Sequence, residues 1–192
     1  GLKICHANII SLNLFKLQKI RLNLAGTFDI ITLSETCLDE NTDFDLDIPG
    51  YQLLIHLDRL GREGGGVAAY VGNHLGAKPR HDLQVPNLEA LWLEIKVNDA
   101  VKLLLCVCYK APDKPVAFWD TLQFATDLAK PDPIKYYVIT GDLNADPGTL
   151  HGAYLKRFAA GNGLSIHIDE ATRVTSSTAT ILDQFLTNIP YF

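Results

Sequence analysis

The segment Gly141-Asp142-Leu143-Asn144 follows an apolar run at residues 136–140 that is typical of a β-strand. Asp142 and Asn144 stand two residues apart at the end of that run, so both side chains point to the same side. A carboxylate there can hold or deprotonate a water molecule, and an amide can bind a phosphate without adding negative charge. Taken alone, however, an Asp after a strand is most often a turn residue or a helix cap.

Polar side chains also interrupt four other apolar runs, and these are Asn8, Glu35, Tyr109 and Asp183. Residues at the same edge of packed sheets converge on one mouth, where ligands bind. Glu35, helped by Asp183 or Asp142, supplies the hard oxygen ligands that Mg²⁺ prefers, with Mn²⁺ as the alternative ion, and Asn8 can orient a carboxylate. The phenol of Tyr109 can donate to a phosphate oxygen or act as an acid. These residue types indicate a metal-dependent phosphodiesterase.

The bulk composition favours one globular domain over residues 1–192, since 47% of the residues are hydrophobic and 20% are charged. The 17 basic and 22 acidic residues give a net charge of −5, which argues against a protein that coats nucleic acid through bulk positive charge. No apolar run reaches the roughly 20 residues that span a bilayer. We therefore expect a monomer that does not associate with membranes.

Apolar runs and helix-like stretches alternate along the chain. Helical spacing predicts three helices, at residues 14–24, 116–128 and 149–160. Apolar β-like runs predict nine strands, at residues 2–7, 29–34, 51–56, 65–71, 91–97, 101–109, 136–140, 164–168 and 181–187. Many strands with few helices between them favour an α+β fold or a layered α/β sandwich over a strictly alternating parallel sheet.

In their order and spacing, the polar strand ends resemble the exonuclease–endonuclease–phosphatase superfamily. The motifs that carry this resemblance are Asn8 with Ser11-Leu12, Leu33-Ser34-Glu35-Thr36, Gly141-Asp142-Leu143-Asn144 and Asp183. A second set is similar to the apurinic/apyrimidinic-endonuclease-like domain of non-LTR (LINE-type) retrotransposons. That set comprises Pro49-Gly50-Tyr51, Asp58-Arg59, Gly64-Gly65-Gly66-Val67-Ala68, Leu91-Trp92-Leu93-Glu94, Tyr109-Lys110-Ala111-Pro112, Thr172-Arg173 and Leu186-Thr187-Asn188.

The resemblance implies a four-layer α/β sandwich in which two packed mixed β-sheets are flanked by helices. It also implies a Mg²⁺-dependent endonuclease that nicks one DNA strand, so that the free 3′-hydroxyl primes reverse transcription. The partners it implies are DNA and a reverse transcriptase fused in the same polyprotein. The implied site of action is the nucleus, after synthesis in the cytoplasm.

Residue roles are also implied by the matching motifs. Glu35 would be the metal ligand, and Asn8 would support it. Tyr109 would contact the scissile phosphate, and Asp142 would activate the water. Asn144 would bind phosphate, and Asp183 would orient a histidine. Thr172 is a weaker match, as a phosphate contact or a structural one. Arg173 is expected to enter a DNA groove, beside a hairpin loop at residues 175–180 that probes the DNA.

The glycine-rich segment has two interpretations. Gly64-Gly65-Gly66 lacks the Lys-Ser/Thr of a P-loop and precedes a strand, which favours a hairpin or a backbone approach to DNA. The flanking Arg59 and Arg62 are either DNA-backbone contacts or ordinary solvated loop charge. Cys106 and Cys108 face one side of a strand without a second ligand pair at zinc spacing, so free thiols are favoured over a metal site.

One departure from the family pattern concerns its last strand, which carries a Ser-Asp-His segment whose histidine contacts the scissile phosphate. None of the six histidines stands in that context. We therefore expect that this chain lacks the family's final strand and that the native protein continues beyond Phe192; a degenerate copy is the alternative.

Two other functions share the same motifs. A phosphatase or phospholipase of the same superfamily would use the same metal site, and a non-catalytic module would keep the fold without the histidine. The Asp58-Arg59 motif with its glycines and the Leu91-Trp92-Leu93-Glu94 motif favour the endonuclease.

Overall fold

The computed structural model describes residues 1–39, 42–56 and 65–190, and of residues 55 and 56 only the backbone. Four strands form the first sheet, sheet one: β1 (Ile4–Asn8), β2 (Ile30–Ser34), β3 (Tyr51–His56) and β4 (Val67–Gly72). Their spatial order is β1-β2-β4-β3. β1 and β2 are parallel, and β4 is antiparallel to both of its neighbours, so the sheet is mixed.

Eight more strands follow along the chain: β5 (Gly76–Pro79), β6 (Glu89–Lys96), β7 (Lys102–Tyr109), β8 (Tyr136–Asp142), β9 (Ser165–Ile166), β10 (Arg173–Val174), β11 (Ala179–Thr180) and β12 (Asp183–Thr187). Six of them form sheet two, in the order β5-β6-β7-β8-β12-β9. Within it β7 and β8 are parallel, and the other pairs are antiparallel. β10 and β11 pair separately as a hairpin.

Three helices cover the sheets: α1 (Leu14–Asn23), α2 (Ala117–Ala129) and α3 (Leu150–Gly161). Side-chain caps fix where two of them begin. Asn13 accepts from Lys16 N at 3.0 Å before α1, and Thr149 accepts from Gly152 N at 3.1 Å before α3. No helix in the described part of the chain combines the length and apolarity needed to cross a membrane.

Three apolar cores separate four layers. α1 packs on the outer face of sheet one through Leu17 and Ile20. Side chains such as Val67 and Leu105 fill the space between the two sheets. α2 and α3 cover the outer face of sheet two, where Trp119 is among the largest buried side chains. The predicted four-layer sandwich of two mixed sheets flanked by helices is thereby confirmed.

The three predicted helices and nine predicted strands all form, with bounds that shift by at most two residues. Three short strands were not predicted. The sequence of β5, Gly-Ala-Lys-Pro, has no apolar alternation, and β10 and β11 are two-residue strands at the hairpin whose loop was predicted at residues 175–180. The predicted connection at residues 58–64 lies outside the described residues.

Gly141 in β8 occupies a position that only glycine fits. Its φ is +148°, and a Cβ added there would lie 1.8 Å from the carbonyl oxygen of Cys108 on β7. We expect Gly141→Ala to lower the free energy of unfolding by about 3 kcal/mol or more, because β7 and β8 would have to separate. Urea denaturation measures the loss.

The matched control is Gly161→Ala at the end of α3, where an added Cβ meets nothing within 4 Å. This variant should equal the wild type or gain up to about 1 kcal/mol, because alanine favours the helix over glycine. A Gly141→Ala protein as stable as the control would contradict the close approach of β7 and β8.

Candidate active site

The predicted polar residues meet at one end of the sandwich, which is its mouth. Because β1 and β2 are parallel, Asn8 at the end of β1 adjoins Glu35, which follows β2. Tyr109 and Asp142 end the parallel strands β7 and β8 at the matching edge of sheet two. Asp183 begins β12 rather than following a strand, and it reaches the mouth because antiparallel pairing places it opposite Asp142.

The side-chain amide of Asn8 joins the two sheets at the mouth. Its Nδ2 donates to Glu35 Oε1 and to Asp142 Oδ2, both at 2.8 Å. Its Oδ1 accepts from Ile10 N at 3.1 Å. Both amide hydrogens thus lie on carboxylates that would otherwise repel each other.

Asp142 is 5% exposed, and hydrogen bonds to both of its carboxylate oxygens fix its position. Its Oδ1 accepts from Asn144 N at 3.0 Å, and Asn144 Nδ2 donates to the carbonyl of Lys110 at 2.8 Å. Burial raises the pKa of Asp142, and the charges of Asp183 and Glu35 raise it further, against the lowering effect of its hydrogen bonds. A raised pKa makes this carboxylate a stronger base than an exposed Asp.

Tyr109 presents its phenol to the same cluster. Burial raises its pKa, and so do a hydrogen bond to Glu35 and the negative charges of Glu35, Asp142 and Glu89. The phenol therefore keeps its proton at neutral pH and donates to Glu35. A protonated phenol beside a carboxylate can equally donate to a phosphate oxygen.

Asp183 lies beside a histidine that the sequence analysis missed, His6. The two side chains approach to 3.6 Å, from His6 Nε2 to Asp183 Oδ1. Burial lowers the pKa of His6 to about 4, although the charge of Asp183 opposes this effect, so the ring is neutral at pH 7. Thr32 Oγ1 donates to the carbonyl of Cys5 and therefore accepts from His6 Nδ1. The second ring nitrogen then carries no proton, and the buried Asp183 Oδ1 has no donor among the described residues.

Glu89 is a second site residue that the sequence analysis missed. It is 5% exposed, pairs with Tyr109 across β6 and β7, and accepts from Gly66 N at 3.2 Å. The loop after β2 runs beside the same glycines, where Cys37 N donates to Gly65 O at 2.9 Å. The sequence does contain a sign of this role. Glu89 stands directly before the apolar residues 90–93, and a carboxylate is unusual in a buried strand.

Backbone strain is concentrated around the mouth. Five non-glycine residues there have φ between +44° and +66°, and these are Ile10, Ser11, Glu35, Cys37 and Asn144. Lys16 steadies the first two, because its Nζ donates to the carbonyls of Ile9, Ile10 and Ser11. Such conformations persist only where surrounding contacts enforce them, and they cluster at functional sites.

The predicted DNA contacts divide into two groups. Arg59 and Arg62 lie outside the described residues. Arg173 is exposed on β10, at the base of the hairpin. Thr172 Oγ1 accepts from Leu182 N and Asp183 N, both at 3.1 Å, so its hydroxyl has a structural role beside the mouth.

The donor set at the mouth fits a hydrated divalent cation. Within the described ranges no three His, Cys, Asp or Glu side chains group closely enough to enclose an ion. A hard divalent ion that keeps several waters, however, needs only one or two carboxylates. Glu35 and Asp142 supply these, and the unmet oxygen of Asp183 adds a further acceptor.

Replacing Asn8 by Asp would put a third carboxylate between Glu35 and Asp142 and remove both donated hydrogen bonds. In EDTA at pH 7 we expect Asn8→Asp to lower the free energy of unfolding by about 2–4 kcal/mol. The pKa of Asp142 is already raised, so its ionised form is the destabilising one, and this cost grows as pH rises through that pKa. The loss should therefore shrink as pH falls toward about 4.

The control for this measurement is Asn13→Asp. Asp caps a helix as well as Asn does, so stability should change by less than about 0.5 kcal/mol. Equal losses in the two variants, or a loss at Asn8 that does not depend on pH, would contradict the bridging role of the amide.

Comparison with known proteins places the chain in a family. The sequence profile of the Endonuclease/Exonuclease/phosphatase family matches residues 10–188. No curated protein sequence matches the chain. Among solved structures, the endonuclease domain of TRAS1, a telomere-specific non-LTR retrotransposon, superposes with a TM-score of 0.73 at 19% identity, over 96% of this chain and 83% of that one.

Two phosphatases have the same fold. ANGEL2, a 2′,3′-cyclic phosphatase, superposes with a TM-score of 0.68 at 13% identity, over 98% of this chain and 83% of that one. The 3′ phosphatase NExo from Neisseria, bound to a product DNA hairpin, superposes with a TM-score of 0.64 at 16% identity, over 97% of this chain and 86% of that one. Because the family profile spans most of the sequence and the fold recurs in these structures, the chain belongs to the endonuclease/exonuclease/phosphatase family.

Proposed function

We propose that the chain is a Mg²⁺-dependent DNA endonuclease of a non-LTR retrotransposon, which nicks target DNA to prime reverse transcription. The observation that carries this proposal is the Asn8 amide, which holds Glu35 and Asp142 together at the mouth beside the protonated phenol of Tyr109. The family consists of hydrolytic nucleases and phosphatases that are generally dependent on a divalent metal.

Glu35, supported by Asn8, would hold the Mg²⁺ ion, with Mn²⁺ as the alternative. When bound, the ion neutralises phosphate charge and stabilises the leaving oxygen. Asp142 accepts a proton from the attacking water, and its raised pKa favours this transfer. Tyr109 donates its phenol to a phosphate oxygen.

Asn144 and Asp183 complete the proposed chemistry. Asn144 Nδ2 donates one amide hydrogen to the Lys110 carbonyl, and its second hydrogen would bind phosphate. The buried Asp183 Oδ1 lacks a donor among the described residues, which supports a role in orienting the histidine of the family pattern.

DNA as the substrate is supported by the sequence motifs shared with retrotransposon endonucleases and by the similarity to TRAS1, whose structure is that of a retrotransposon endonuclease domain. The proposed partners are DNA and a reverse transcriptase fused in the native polyprotein. The proposed place of action is the nucleus, after synthesis in the cytoplasm, with the domain acting as a monomer.

The second candidate is a phosphatase or phospholipase of the same family. ANGEL2 and NExo favour it, because both are phosphatases and both superpose over nearly all of this chain. The mouth residues serve either reaction, since a phosphomonoester and a phosphodiester present the same oxygens to a metal and a general base. The third candidate is a non-catalytic module. The absence of a donor to Asp183 Oδ1 among the described residues is consistent with it as well.

We expect the chain to convert supercoiled plasmid to open circles in Mg²⁺ and not in EDTA. Asp142→Ala should lower the nicking rate by at least about 10³-fold, because it removes the base at the mouth. The control is Asp99→Ala in the turn after β6, where the side chain is 99% exposed. Hydrolysis of a lipid or inositol phosphate without nicking would favour the second candidate, and inactivity on all substrates would favour the third.

The hairpin loop at residues 175–180 gives a separate prediction. Replacing it with a Gly-Ser segment should alter the distribution of nick positions on duplex DNA, because hydroxyl-rich side chains are lost from the predicted probe. Total nicking should remain within about fivefold of wild type, since no mouth residue changes. An unchanged set of nick positions on an end-labelled duplex would show that the loop does not probe DNA.

A further inference from the structure

The hairpin of β10 and β11 takes no part in the apolar cores. Every residue from 169 to 179 is exposed, and Val174 is exposed by 72%. Two paired strands of two residues each are too short to be stable alone. Polar contacts at the base of the hairpin must therefore set its position relative to the mouth.

Those contacts involve the segment Ile181-Leu182-Asp183, which runs from the end of β11 into the first residue of β12. Asp146 Oδ2 accepts from Ile181 N at 3.0 Å. The same loop also holds the carbonyl of Leu182, which accepts from Leu143 N at 3.0 Å. Thr172 Oγ1 accepts from the amides of Leu182 and Asp183, so the residue before β10 is joined to the residues after β11 at the base of the hairpin.

Asp146 is itself anchored in the body of the protein. Its Oδ1 accepts from Gly148 N at 3.0 Å, and its carbonyl accepts from Thr149 N at 2.9 Å and Thr149 Oγ1 at 2.7 Å. Thr149 caps α3, and a Cβ added at Gly152 in that helix would lie 2.1 Å from the Asp146 carbonyl oxygen. The hydrogen bond from Ile181 N, followed by that from Gly148 N, lowers the pKa of Asp146, so the carboxylate is ionised at neutral pH.

We propose that Asp146 is a specificity-determining positioning residue, which fixes the hairpin relative to Asp142 and thereby selects the phosphodiester bond that is cut. The inference rests on the proposed endonuclease function. Asp146 stands four residues after Asp142 in one loop, and Asp183, at the end of the hairpin base, pairs with Asp142. Any shift of the base against this loop changes the distance between the hairpin turn and the reacting phosphate.

Two variants distinguish the hydrogen bond from Ile181 N, which reaches the hairpin base, from the hydrogen bond from Gly148 N, which belongs to the turn around Asp146. Asp146→Ala removes both side-chain hydrogen bonds, whereas in Asp146→Ser the hydroxyl can still accept from Gly148 N but has no second oxygen for Ile181 N. On an end-labelled duplex, both variants should reduce the share of nicks at the wild-type positions by about fivefold while total nicking stays within about threefold. A serine variant that nicks like the wild type would overturn the inference, because the turn alone would then suffice.

A combined variant tests whether Asp146 acts through the hairpin. In the background with residues 175–180 replaced by Gly-Ser, Asp146→Ala should change the nick distribution no further, because the element that it positions is gone. An additional, independent change in the distribution would contradict positioning through the hairpin.

Amide hydrogen exchange in EDTA, without DNA, provides a readout that does not depend on activity. Asp146→Ala should speed exchange at the hairpin amides of Thr175 and Thr178 by about tenfold, with little change in the midpoint of thermal unfolding. Unchanged exchange would overturn the anchoring role even if the wild type nicks DNA. A wild type that neither binds nor nicks DNA would overturn the proposed function instead, and with it the selection of the bond, whatever the exchange shows.

Discussion

The mouth of the sandwich depends on one amide group, that of Asn8. The two sheets are held together along most of their length by apolar packing, but at the mouth that packing gives way to carboxylates. An apolar side chain at this position would leave Glu35 Oε1 and Asp142 Oδ2 facing each other without the donor that they share, and an acidic one would add to their repulsion. A neutral group with two hydrogens on one nitrogen satisfies both carboxylates at once. The relative placement of the sheet edges is therefore set by hydrogen-bond geometry, which is more directional than packing.

The charges at the mouth bear on the stability of the fold. Four acidic side chains gather there, namely Glu35, Glu89, Asp142 and Asp183, while the nearby His6 is neutral. Lys110 is the adjacent buried base, and burial lowers its pKa, although Asp113 and Asp142 oppose that effect. Repulsion among these carboxylates is unfavourable in the folded state, and a cation bound there, as proposed above, would offset it. Such binding would then raise the stability of the fold.

The sequence predicts the layers and most of the mouth for a physical reason. Side-chain alternation and helical spacing determine each element locally, and polar residues placed directly after apolar runs mark the ends of parallel strands. Asn8, Glu35, Tyr109 and Asp142 meet by that rule. Pairing direction is not encoded in the same local pattern, so the sequence does not show that Asp183 reaches the mouth at the start of a strand antiparallel to β8.

The residues that escaped prediction depend on distant partners. His6 lies within an apolar run, where a histidine has the same pattern whether it is part of the core or of a site. Its role becomes visible only through Thr32 and Ser34, which are 26 and 28 residues away. The anchoring carboxylate of Asp146 likewise resembles an ordinary turn residue until the chain returns to it 35 residues later. For Arg59 and Arg62, contact with DNA stays a prediction.

The left-handed residues around the mouth carry a cost in folding free energy. A β-branched residue such as Ile10 in that region loses on the order of 1 kcal/mol relative to glycine. Selection for thermal stability alone would therefore favour Gly or Asn at these positions, and the backbone there would be less constrained. Substitutions that stabilise the fold at these positions would therefore loosen the geometry of the mouth. Stability and a fixed arrangement of the mouth side chains are thus opposed at the same few peptide units.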